Sequence, residues 1–167
     1  SAVSAQDKLL IIANGAYGQR MAEIAHRAGL SHQLYNCSYD ETPDSNKIAE
    51  ILAVDPAITH VSMVHCETTS GILNDIAAVA KDIASVAEVV KRAGKIFIVD
   101  AMSSFGGIDI PVADLGIDFL ISSANKCVQG VPGFSFIIAK KEALASCEGK
   151  ARSLSLDLYD QWKAMEK

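Results

Sequence analysis

Positive charge is not in excess in this 167-residue chain, whose formal net charge is -5 and isoelectric point near 5.3. That balance leaves no basic footprint for a nucleic-acid backbone. No apolar run approaches the roughly 20 residues of a membrane-spanning helix. The first eight residues lack the charged-then-apolar pattern of a secretory signal. Cysteine is sparse, and Cys37, Cys66, Cys127 and Cys147 form no Cys-x-x-Cys pair. Reduced thiols in a cytoplasmic protein is the plain reading. Tandem repeats, linkers and low-complexity segments are also absent. Apolar residues are plentiful, at 50% hydrophobic against 21% charged. A large core is therefore possible, disorder is not expected, and the length suits one domain.

Strand-length apolar runs alternate with helix-period stretches, the pattern of an α/β fold with a mostly parallel sheet in a three-layer sandwich. Strands are expected at 9–13, 32–37, 59–65, 96–99, 119–121 and 134–139. A helix over 17–28 should stop at Gly29. A second should open at Asp44 as N-cap and end at Asp55-Pro56. The longest helix is expected to start at Asn74 or Asp75 and reach Arg92, because Ile76, Val79, Ile83, Val86, Val89 and Val90 recur at spacings of three and four. Within it, 76–80 and 83–87 echo each other at an offset of seven, close to two turns. A short helix over 140–146 and a final one from Ser155 or Asp157 complete the chain.

Two charged residues stand just past strand ends, where open parallel sheets bind ligands. Lys126 follows residues 119–121 through small residues, and Gly130-Val131-Pro132-Gly133 comes soon after, so that backbone can approach a ligand closely. A lysine there can form an imine. Asp100 closes the strand at 96–99, and an acid there can hold a pyridinium nitrogen. These are the protein groups that pyridoxal phosphate (PLP) chemistry needs most. Met102 follows and could pack on a ring face, although core filling explains it equally. The third feature is His65-Cys66-Glu67-Thr68-Thr69-Ser70-Gly71, a hydroxyl-rich loop after another strand. A metal site from His60, His65, Cys66 and Glu67 is disfavoured, since residues five apart on a strand face opposite ways. The loop Asn14-Gly15-Ala16-Tyr17-Gly18 lacks the full Gly-x-Gly-x-x-Gly dinucleotide pattern, so a structural strand-to-helix turn is the better reading.

The order of the three motifs, 65–71, 100–107 and 122–133, resembles the class V aminotransferases of PLP fold type I over nearly the whole chain. The resemblance implies that Lys126 is the Schiff-base lysine and proton carrier, and that Asp100 partners the pyridinium. It places Thr68 near the ring oxygen, Met102 beneath the ring and Asn125 toward the phosphate. It implies PLP as cofactor, a homodimer, and amino transfer from 2-aminoethylphosphonate to pyruvate, giving phosphonoacetaldehyde and alanine. Members of the family are longer. They carry an earlier phosphate loop and a smaller C-terminal domain with a carboxylate-binding arginine. The chain is thus expected to be the central part of a large PLP-binding domain, with weak or no transamination alone. Two alternatives stay open: another class V aminotransferase, and a non-catalytic nucleotide-binding α/β domain using the loop at 14–18.

Overall fold

Side-chain alternation decides how each strand is covered. In β1 (Lys8–Ala13), Leu10 and Ile12 point to one face and Leu9 and Ile11 to the other, and all four are buried. A strand covered on both faces belongs in the middle of a parallel sheet. The computed structural model describes residues 1–76 and 85–166. Its sheet contains β1, β2 (Ser31–Asn36), β3 (Ile58–Val64), β6 (Ile96–Asp100), β7 (Phe119–Ser123) and β8 (Ser135–Ala139). Their order is β2-β1-β3-β6-β7-β8. All neighbours run parallel except β7 and β8. The short strands β4 (Cys66–Glu67) and β5 (Ile72–Leu73) form a separate antiparallel hairpin.

The helices lie in two outer layers. Helix α1 (Ala16–Arg27) packs Ala22 and Ala25 on Leu9 and Ile11. Helices α2 (Ser45–Val54) and α3 (Val86–Arg92) cover the opposite face, where Leu10, Ile12, Met63, Phe97, Val99 and Leu120 form the main core. A third cluster of Phe119, Ala143 and Cys147 joins α4 (Lys141–Ala145) to the α1 side, with Tyr159 of α5 (Leu158–Met165) against it. The arrangement is the expected three-layer α/β sandwich.

Most helix ends follow their sequence signals. Asp44 caps α2 by accepting from Asn46 N. Asp157 caps α5, while Ser155 lies in a 3-10 turn over Leu154–Leu156. Gly29, at φ 64, lets α1 close with Gly29 N donating to His26 O and Leu30 N to Ala25 O, both at 2.9 Å.

The long helix is a correction. Residues 74–76 are not helical, and the described helix starts at Val86 with Ser85 as its N-cap. Asn74 caps nothing, because its amide is buried and bonded elsewhere in the fold. Residues 77–84, and with them most of the seven-residue echo, lie outside the described residues.

Candidate active site

Strand register sets the site. Val64 pairs with Asp100 and Asp100 with Ile121, so β3 and β6 end level and β7 runs two residues further, to Ser123. His65 N donates to Asp100 O at 2.8 Å, and Ala101 N donates to Ile121 O at 2.9 Å. The three loops singled out in the sequence therefore leave the sheet at one carboxyl-end edge. Alternation puts Asp100, Ile121 and Ser123 on the face that also carries α1.

Asp100 is half-buried, and its pKa is pushed above the usual carboxylate range. Burial is the largest cause. A hydrogen bond from Met102 N at 2.9 Å acts against it, and the charge of Glu67 adds to it. No cation pairs with Asp100 among the described residues. Such a carboxylate is underprovided with positive charge, and a cation beside it would act against the rise. Met102 is half-buried beside it.

Lys126, Asn125 and Thr68 are exposed on their loops. The lysine loop is shaped by its backbone. Gly130 N donates to Ala124 O at 2.7 Å, and a Cβ on Gly130 would lie 3.0 Å from that same oxygen. Gln129 adopts φ 59, a left-handed conformation that non-glycine residues rarely take. Cys127 Sγ donates to Ser103 O at 3.4 Å, which fastens the lysine loop to the one that follows Asp100. Cys66, nearby on β4, is a weakly acidic thiol: burial raises its pKa, and the charges of Cys127 and Glu67 add to that.

Several buried polar groups take structural roles that residue patterns did not assign to them. Glu67 is fully buried, and its carboxylate accepts from Tyr17 N at 3.1 Å and Gly18 N at 3.2 Å, at the start of α1. Thr69 Oγ donates to it at 2.6 Å and Thr69 N at 3.2 Å. Thr69 Oγ in turn accepts from Ala16 N at 2.9 Å. Asn14 and Asn74 exchange two amide hydrogen bonds in the interior, at 2.7 and 3.0 Å. His65 Nδ1 bonds Ser104 Oγ at 2.9 Å. The hydroxyl of Ser123, three residues before Lys126, is buried without a partner among the described residues. The signal for Glu67 was an acid three residues past a buried strand and followed by hydroxyl residues. Nothing local marked Ser123, because its place on the Asp100 face follows from the register between strands.

These bonds bear on the readings left open. The first amides of α1 are already taken by Glu67 and Thr69, so the 14–18 loop offers a phosphate few free donors. The four metal candidates do not converge. His60 sits at the other end of β3 against Thr59 and Asp7, and Glu67 is committed to α1.

Residues 1–154 match the family described as Aminotransferase class-V, and the chain belongs to that family. It is 55% identical over 166 residues to proteins of Salmonella paratyphi A and Klebsiella pneumoniae named 2-aminoethylphosphonate--pyruvate transaminase. The match takes in 99% of this chain and 43% of theirs, so the chain spans under half the length of these relatives. Pyridoxamine-pyruvate aminotransferase of Mesorhizobium loti superposes on 89% of the chain with a TM-score of 0.79 and 31% identity, using 36% of its own length. Alanine--glyoxylate aminotransferase of Nostoc sp. superposes on 99% with a TM-score of 0.83 at 22% identity, a likeness of fold. It uses 42% of that protein.

Proposed function

We propose that this chain is the central part of the large cofactor-binding domain of a PLP-dependent aminotransferase. The amino donor is 2-aminoethylphosphonate and the acceptor pyruvate, in phosphonate breakdown. The observation that supports the reading is that the parallel strands β3, β6 and β7 send the loops bearing Thr68, Asp100 and Lys126 out of the same carboxyl end of the sheet, with Asp100 lacking a cation among the described residues. The family match and the names of the 55%-identical proteins support the same chemistry.

The residues present fit PLP. Asp100 would hold the proton on its ring nitrogen, and Lys126 would hold its aldehyde carbon and carry the proton to and from the substrate carbon. Thr68 would donate to the ring oxygen, Met102 would lie beneath the ring, and Asn125 would face the phosphate. Ser123 offers a further buried hydroxyl on the Asp100 face. When bound, PLP would supply an electron sink for the carbanion left by the departing α-proton. A cytoplasmic homodimer completes the reading.

The test is spectroscopic. Adding PLP should produce a visible band, and borohydride should fix the cofactor on Lys126 in a peptide map. Lys126→Ala should lose both. An equal band in Lys126→Ala, or tight NAD or FMN binding in place of PLP, sinks the proposal. Alanine formation from 2-aminoethylphosphonate and pyruvate tests the substrate pair, and any such activity should be lost in Lys126→Ala.

A further inference from the structure

We infer that Glu67 is a positioning residue: its carboxylate ties the start of α1 to the hairpin tip and thereby aims the Thr68 hydroxyl at the site. The inference rests on the PLP reading. Four donors converge on the carboxylate, two amides from α1 and the amide and hydroxyl of Thr69. No lysine or arginine neutralises it among the described residues, so backbone dipoles at a helix start do that work. Gly15 makes room for it, because a Cβ there would lie 2.3 Å from Glu67 Cγ. The main chain is held as tightly: Gly71 N and Ser70 N both donate to Glu67 O, at 2.9 and 3.3 Å.

Thr68 stands between these two locked residues. It is exposed, and its hydroxyl has no hydrogen-bond partner among the described residues. A free hydroxyl on an immobilised backbone is preorganised for a ligand, since little freedom remains to be lost on binding. A helix cap alone would need only the two α1 amides. The two bonds to Thr69 reach past the helix to the loop that carries Thr68. The charge of Glu67 is also felt at Asp100 on the neighbouring strand end.

The experiment is a pH titration of the PLP-dependent band in the wild-type chain, Glu67→Gln, Thr68→Val and the double variant, with folding followed by circular dichroism. Glutamine keeps one acceptor oxygen and turns an amide toward donors. Glu67→Gln should move the midpoint in the direction of Thr68→Val, and the double variant should move it no further. A folded Glu67→Gln with the wild-type midpoint overturns the inference, as do additive shifts. Should Glu67→Gln not fold, Thr69→Val removes the shortest bond to the carboxylate and should give a smaller shift of the same sign; an unmoved midpoint there overturns it equally. A wild-type chain without a band that depends on Lys126 defeats the PLP reading, and this inference with it. A Lys126-dependent band that ignores Glu67 defeats this inference alone.

Discussion

At the scale of single residues, the buried asparagines of this chain form a closed set. Asn14 and Asn74 lie 60 residues apart, yet each amide is the other's partner. Asn14 Nδ2 also donates to Glu41 O, and Asn74 Nδ2 to Val64 O. Truncating either leaves a buried donor or acceptor stranded, which costs about 1–3 kcal/mol. Asn14→Ala and Asn74→Ala should each lower the urea midpoint accordingly. The double variant should lose clearly less than the sum of the two, because the second truncation removes the orphan that the first creates. Equal and additive losses would show that the amides act separately. Lys126 and Asp100 were legible in the sequence because each interrupts the apolar pattern at a strand end. The asparagine pair was not, since nothing local marks Asn14 as the partner of Asn74.

At the scale of elements, α3 shows local and periodic signals in competition. Apolar spacing from Ile76 to Val90 argues for one long helix, yet Ser85-Val86-Ala87-Glu88 is a capping sequence inside it. The cap wins at Val86: Ser85 Oγ accepts from Glu88 N at 3.1 Å. The other end closes on Gly94, at φ 66, with Gly94 N donating to Lys91 O and Lys95 N to Val90 O. Ser85→Ala should destabilise the chain by about 1 kcal/mol, while Ser85→Asp should hold it within a few tenths, both read from chemical denaturation. Indifference to Ser85→Ala would mean that the helix does not begin there. Periodicity reports which face is buried and does not reveal where hydrogen bonding starts. The hairpin over 66–73 carries the same lesson, since its two-residue strands β4 and β5 are too short to leave a pattern.

At the scale of the whole molecule, the buried histidines couple folding to acidity. Burial lowers the pKa of His60, with Lys150 acting the same way and Asp7 and Asp118 against it. Burial also lowers that of His65, with Asp75 acting against it. The unfolded chain then takes up protons near the ordinary histidine value of about 6.5, while the folded chain does not. Stability should be fully present above that value and should fall as pH drops below it, until the depressed folded values are reached. Asp100 acts with the opposite sign in more acidic solution, because its raised value lets the folded state hold a proton the unfolded state releases. Melting temperatures from pH 7.5 to 5 should decline in the wild-type chain and decline less in His60→Gln. Parallel curves would remove His60 from the account.

Alternating and helical hydrophobicity by themselves determined the six strands of the main sheet, most helices and the three-layer class, because burial of one face is a local constraint repeated along the chain. They also marked Asp100 and Lys126 as unusual strand-end residues. Only the tertiary structure decided the register of β3, β6 and β7, the union of Asn14 with Asn74, and the commitment of Glu67 to α1. Those depend on which strands become neighbours and in what register, and register is fixed by packing between residues far apart in the chain.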